Sequence, residues 1–435
     1  MSVSIQAVLS EGFSCPVRDV LWGHIYFTPE LAALTNCGPF ARLHRILQLG
    51  PVYHIYPGAT HTRASHSMGV YHLGRRLLQN LVERGTSDGV VSPSLSRKGV
   101  MSFLCACLLH DLGHFPYTHS LKELPMRSHE SLTGEIILSD PVKLLVGSCG
   151  ADPELTAAII DKELPGGDAE LLFYRKLLSG CFDPDKLDYL NRDARYCGVP
   201  YGVQDVDFIL SRLIPSQRGV DIDSRLIPNV EAILFAKYLM YRTVYWHRQV
   251  RSATAMIKKA LLDGLESGKI AGEELYGLDD QGLFALLREK TGSTLAESVR
   301  EGNFYPLIAE APFSGAAHAC LKDIGKRSQY EQRLADEFRR MGVPLVSGGL
   351  IIDLPEPVSF ETGLFVADEH CGFTESSSAF KSETLDSFVN TLYTVRIFIN
   401  PDSFKKVETM PELSGILNGE KLWLRGVDYG NTQHI

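Results

Sequence analysis

The sequence predicts a mostly α-helical protein carrying a smaller C-terminal α+β part. Three observations lead there. Apolar residues recur at three- and four-residue steps through much of the first 300 positions, which is the period of a helix. Helix punctuation stands at the ends of those runs, with Asp183-Pro184 before one and Gly50 after another. Beyond about residue 300 short β-branched runs replace the helical period and read as strands.

Trp22 to Phe27 alternates between polar and apolar residues and predicts a short strand or hairpin, ended by Thr28-Pro29. A helical pattern from Leu31 runs to Gly50, a glycine suited to the position after a helix. Pro57-Gly58 marks a turn. From Ala64 onward His66, Val70, Leu73, Leu77 and Leu81 form one buried stripe, with His66 in the first turn. Gly99 to Leu112 is apolar on nearly every side, so this helix should be central, and Gly113 should end it. In FDPDKLDYLNRDARY, Asp183 suits an N-cap and Pro184 the first helical position. Asp185 then falls in the first turn, where the helix dipole favours a carboxylate. Tyr189 and Asp193 follow it at four-residue steps and share its face. A long helix is expected from about Val230 to Leu265, carrying Arg242. Leu345 to Leu354 and Val395 to Ile399 read as strands, and Arg333 to Met341 as an amphipathic helix. The expected division is a helical domain over 1–300 and an α+β part over 301–435.

Composition narrows the function classes. The 435 residues are 44% hydrophobic and 22% charged, with a net charge of −9, so nothing global points to nucleic acid or a membrane. The longest apolar stretch, Val100 to Leu109, is too short to span a bilayer. Nine scattered cysteines without a CxxC pair fit free thiols in a reducing cytoplasm, and no secretory signal is legible at the N-terminus.

His66, His110-Asp111 and Asp185 lie in order along the chain, each at a helix end. Helices in a bundle bring such distant residues onto one ion, and two imidazoles with two carboxylates suit a divalent metal. Mn, Fe, Zn, Ni and Mg are all compatible with this donor set. Polar residues ending an apolar helix must face a cavity or be paired, although histidines that cap helices or satisfy carbonyls would leave the same pattern. His114 is the first choice for an acid toward a leaving oxygen, with His129 to orient or assist it. Arg63, Lys186, Arg192 and Arg242 could offer positive charge to a polyphosphate, or lie solvated on the surface.

These stretches resemble the HD-domain deoxynucleoside triphosphate triphosphohydrolases, in the bacterial form without a sterile-alpha-motif domain. The motifs are FARLHRILQLGPVYHIYPGATHTRASHSMGVYHLG, LLHDLGHFPYTHS, SHESLTGEII and FDPDKLDYLNRDARYCGVPYG, and the likeness runs in register over residues 17–260. The resemblance implies an HD-type helical bundle that cleaves a dNTP to deoxynucleoside and inorganic triphosphate. It implies His66, His110, Asp111 and Asp185 as metal ligands, and His114 and His129 as catalytic. Gln48, Leu49 and Asp193 would contact the sugar, Gln48 and Asp193 at its 3′-hydroxyl. Arg63, His119, Lys186 and Tyr189 would hold the phosphates, joined by Arg242. Mg bound with the triphosphate, a nucleotide effector and a homodimer or homotetramer belong to the same implication.

Two departures stand out. The family's helper aspartate falls at Lys122, beside Glu123. The residues of an effector site present in some members fall at Asn36, Ala41 and His44. Two other functions stay open: a nucleotidase or phosphodiesterase for monophosphates, cyclic nucleotides or oligonucleotides, and a non-catalytic nucleotide sensor.

Overall fold

The computed structural model describes residues 4–87, 94–217, 219–377 and 379–410. The chain groups into two units. One comprises Met1–Met240, Ala271–Leu283 and Phe360–Thr384, the other Tyr241–Ile270, Phe284–Ser359 and Leu385–Ile435. Residue 300 thus falls inside the second unit, and the last 25 positions of the expected α+β part lie outside the described residues.

The first unit opens with a hairpin, β1 (Cys15–Asp19) and β2 (Gly23–Phe27), paired so that Asp19 faces Gly23. Helices α1 (Pro29–Thr35) and α2 (Gly38–Leu43) follow. The sequence pattern suggests one helix through Gly50. Instead Gly38-Pro39 starts a new helix, and Leu47 leaves it to form an antiparallel bridge with Thr62. Helix α3 (Arg63–Ser87) lies against α4 (Arg97–Leu109) and α8 (Pro184–Cys197). Between these in the chain come α5 (His129–Ile137), α6 (Pro153–Ile160) and α7 (Ala169–Leu177). Every residue of α4 from Gly99 to Leu109 is buried, as an all-round apolar helix must be. Asp183 caps α8 by accepting from Lys186 N, and Gly198 ends it at φ 68.

The expected helix from Val230 to Leu265 is broken. Helix α9 (Ile227–Met240) passes into a π turn at Tyr241–Tyr245, and α10 (Arg248–Glu266) starts afresh with His247 as its cap. In the second unit, strands β3 (Leu307–Pro312), β4 (Leu350–Asp353) and β5 (Thr394–Ile399) form an antiparallel sheet in the order β3-β5-β4. Helix α11 (Ile324–Arg340) covers it, packing Leu334 and Phe338 into a core with Ile352, Val395, Ile397 and Ile399. The two sequence-predicted strands and the amphipathic helix are therefore present, with different ends. Among the described residues no helix is long and apolar enough to cross a membrane.

Candidate metal centre

Four side chains converge where α3 begins, α4 ends and α8 begins. His66 stands in the first turn of α3, with Nε2 3.0 Å from Asp185 Oδ1. His110 caps α4, and its Nε2 lies 3.3 Å from Asp111 Oδ1 and 4.0 Å from Asp185 Oδ1. The His66 and His110 rings meet edge to face at 5.3 Å. One donor atom each from His66, His110 and Asp111 falls within a 4.8 Å span.

The donor set fits a divalent cation. His110 Nδ1 sits 3.0 Å from the Cys107 carbonyl, which only accepts, so Nδ1 carries the hydrogen and Nε2 is left as a lone pair. That Nε2 is buried and has no hydrogen-bond partner among the described residues. His66 is held between two carboxylates, Asp185 on Nε2 and Asp188 on Nδ1 at 2.8 Å. Burial opposes a charge on this ring, yet the two carboxylates overcome it and lift its pKa to about 10. A divalent cation held by His66 would replace that Nε2 proton.

Asp188 is the main residue that the sequence reading missed. Its carboxylate is wholly buried and takes hydrogen bonds from Trp22 Nε1 (2.6 Å), His66 Nδ1 (2.8 Å) and Arg192 Nε and Nη2 (2.8 and 2.9 Å). Arg192 also reaches Asp19 Oδ2 at 2.9 Å. Burial drives the Asp188 pKa upward, but Arg192 and His66 bring it down to about 2. Arg192 is itself fully buried, which corrects the idea that it faces a phosphate or solvent. The one available signal was Asp188 and Arg192 at i and i+4 on one helix. Room for this network comes from Gly69, where a Cβ would stand 1.9 Å from Asp188 Oδ1.

Beside the four residues lies a cluster of histidines. The His114 and His129 rings stack at 3.9 Å, with His119 4.7 Å from His114 and 5.3 Å from His129. His114 Nε2 is 3.1 Å from Asp111 Oδ1, and Arg63 donates to Asp111 Oδ2 at 2.8 Å. Burial, followed by the Arg63 charge, pushes the His114 pKa well below its ordinary value. Burial also lowers that of His129. The loop between α4 and α5 is braced from two sides. Gly113 N donates to Thr133 Oγ1, which donates in turn to His110 O; a Cβ on Gly113 would strike the His129 carbonyl at 2.1 Å. Arg42, also missed in the sequence, donates to the Leu112, His114 and Leu278 carbonyls.

The remaining sequence-predicted residues are spread more widely. Gln48 and Leu49 sit in the turn after α2. Asp193 is buried on α8 with Oδ1 2.8 Å from His61 Nε2, and Tyr189 is half-buried between it and Asp185 in sequence. Lys186 Nζ turns back to Asp183 Oδ2 at 2.8 Å and Gly180 O at 3.1 Å, with Glu361 3.9 Å away. Lys122 is exposed. Arg242 belongs to the second unit, on the π turn.

The family model "HD domain" matches residues 63–170, and "HD associated region" matches residues 205–408. Residues 63–170 are thus an HD domain. This HD chain is 35% identical over 224 residues to "Uncharacterized protein YwfO" of Bacillus subtilis, covering 51% of this chain and 49% of that one. It is 26% identical over 362 residues to "Deoxynucleoside triphosphate triphosphohydrolase SAMHD1" of Bos taurus, covering 72% and 58%. The chain spans about half the length of the curated relatives it matches. Among solved structures, a hypothetical protein from Aquifex aeolicus superposes with a TM-score of 0.67 at 24% identity, over 91% of this chain and 99% of that one. A phosphohydrolase from Bacteroides thetaiotaomicron gives 0.68 at 21% identity, over 89% and 99%. At these identities the two structures speak to the fold alone. HD domains bind a divalent metal, and the His66, His110, Asp111 cluster is one that could hold it.

Proposed function

We propose that this HD-domain protein hydrolyses deoxynucleoside triphosphates to deoxynucleoside and inorganic triphosphate, by water attack on the α-phosphorus. The observation that carries the reading is the stack of buried His114 on half-buried His129 against Asp111, with Arg63 on the same carboxylate. Likeness to the triphosphohydrolases named above supports the choice of substrate.

His66, His110, Asp111 and Asp185 are the proposed metal ligands. A divalent ion held there supplies a Lewis acid for a phosphoryl oxygen and acidifies water. With Nε2–H turned to Asp111, the buried Nδ1 of His114 has no partner among the described residues and is the lone pair that takes up and gives back a proton. The lowered pKa keeps His114 neutral in the empty site, so its role as acid for the departing 5′-oxygen requires the negative charge of a bound phosphate to favour the imidazolium. His129, stacked on His114, fixes the ring plane. Arg63 and His119 neutralise phosphate charge beside this pair, with Lys186 and Tyr189 further along the tail. Gln48, Leu49 and Asp193 form the sugar side. Oligomerisation, a nucleotide effector, Mg with the substrate and a cytoplasmic location belong to the same reading.

One observation favours a second reading. Lys186 is claimed by Asp183 and Gly180, which leaves less free charge for a polyphosphate tail and suits a monoester or diester substrate. The test is a product assay on metal-loaded protein with all four dNTPs, nucleoside monophosphates and cyclic nucleotides. Release of triphosphate supports the first reading. Faster release of phosphate from monoesters than of triphosphate from any dNTP replaces it with the second.

A further inference from the structure

Asp111 belongs to two groups of donors. Its Oδ1 lies 3.3 Å from His110 Nε2 and 3.1 Å from His114 Nε2. One donor atom each from Asp111, His114 and His129 falls within a 4.8 Å span, as it does for His66, His110 and Asp111. Asp111 and His114 are buried, and half-buried His129 stacks its ring on His114 at 3.9 Å.

The tautomers leave lone pairs in this second group. His129 Nδ1 is 3.2 Å from Glu130 Oε2, and a carboxylate only accepts, so Nδ1 carries the hydrogen and the neutral ring offers Nε2. A metal-ligating histidine usually gives its other N–H to a carboxylate or carbonyl in this way. His114 turns Nε2–H to Asp111, and its buried Nδ1 has no hydrogen-bond partner among the described residues. A buried lone pair without a donor has lost its water for nothing in return. In turnover a proton fills it, and a cation competes for the same electrons.

The two groups differ in charge. The first has the carboxylates of Asp111 and Asp185. The second has Asp111 alone, and Arg63 already donates to that carboxylate at 2.8 Å. A cation is therefore held less tightly in the second group and enters it after the first. Two neutral imidazoles select a borderline ion such as Zn2+ or Ni2+ over Mg2+, which prefers oxygen.

We propose that a second divalent cation of the zinc type binds at Asp111, His114 and His129, and that it inhibits by occupying the lone pair through which His114 moves a proton. The inhibition rests on the hydrolase reading above, whereas the binding does not.

The test compares the wild type with His129→Phe, which keeps the stack on His114 and loses both nitrogens, and with Glu130→Gln, which leaves every proposed ligand in place. Each chain, loaded with Mn2+, is dialysed against rising Zn2+ or Mg2+. Total bound metal is counted by elemental analysis, and triphosphate release from the four dNTPs is measured over the same range. In Zn2+ the wild type should hold one ion more than His129→Phe, and its triphosphate release should fall about a hundredfold as that ion binds. Mg2+ at the same concentrations should do neither. Glu130→Gln should weaken the second ion and raise the inhibitory Zn2+ concentration together, by about tenfold or more, with the first ion unchanged. Equal metal content in the wild type and His129→Phe overturns the proposal, as does inhibition by Zn2+ that is the same in the wild type and Glu130→Gln. A second ion that depends on His129, in a chain that releases no triphosphate, keeps the site and sinks the triphosphohydrolase reading.

Discussion

Replacing Asp188 by asparagine probes the centre without touching any proposed ligand. The carboxylate accepts four hydrogen bonds, from Trp22 Nε1, His66 Nδ1 and two Arg192 nitrogens, all between 2.6 and 2.9 Å. An amide of the same shape keeps one acceptor oxygen and turns an NH2 group against donors on the other side. Both bonds on the NH2 side are therefore broken, one of them from Arg192, which is left with Asp19 as its sole named acid. Breaking a buried ion pair by removing one partner costs about 3–5 kcal/mol. For a unit of this size that corresponds to a fall in Tm of roughly 6–20 °C. The second effect is on the metal. His66 loses the carboxylate that fixes its ring and tautomer, which weakens metal affinity by about 10–100-fold. Thermal melting of the metal-free protein reads the first effect, and calorimetric titration with Mn2+ the second. A variant that melts within 2 °C of wild type and binds Mn2+ within about twofold of it refutes the account of Asp188 as the support of His66.

Gly69→Ala should destabilise the same network by about 3 kcal/mol despite alanine's better helix propensity, because its Cβ meets Asp188 at 1.9 Å and Arg192 at 2.6 Å; melting curves decide. Burial raises the Asp280 carboxyl to about 6 even though it accepts from Leu47 N. The folded state thus binds this proton more tightly than the unfolded chain, so the stability it contributes is complete below about pH 4 and is lost as pH rises through 6, a difference of roughly 1–3 kcal/mol. Asp280→Asn, which keeps an acceptor for Leu47, should raise Tm at pH 8 and leave it unchanged at pH 4; equal shifts at both refute this. In the second unit Arg251 holds Asp353 through two nitrogens, and Asp353 is 1% exposed. Arg251→Met should cost about 3–5 kcal/mol, and adding Asp353→Leu should recover most of it, as a double-mutant cycle would measure. Stripping the metal with a chelator should lower Tm and stop hydrolysis together, with both returning on addition of Mn2+.

The centre was legible where local pattern and chemistry coincide. An apolar run that ends in His110-Asp111 has to point its polar end at something, and Asp183-Pro184 sets Asp185 in a first turn with no knowledge of the rest of the chain. The network around Asp188 was not legible, because an aspartate four residues before an arginine reads as a surface ion pair. Nothing local announces that Trp22, 166 positions away, closes over it. His61 was passed over for a similar reason, since its partners Asp193 and Tyr196 lie more than 130 positions along the chain. The helix ends failed where the period ran on through a break. The spacing of apolar residues continues across Gly38-Pro39 and across Tyr241–Tyr245, but a new cap and a π turn interrupt the backbone there. The fold class survived these errors because it depends on which face is apolar, not on where each helix stops.

The four proposed ligands are unequal in their access to solvent. His66 and Asp111 are buried and His110 nearly so, whereas the Asp185 side chain is 40% exposed. Three donors are thus fixed in place by the packed interior, and one stands at the doorway. An ion held by these four residues would meet solvent through Asp185, so its exchange would call for movement of that carboxylate and not for opening of the core.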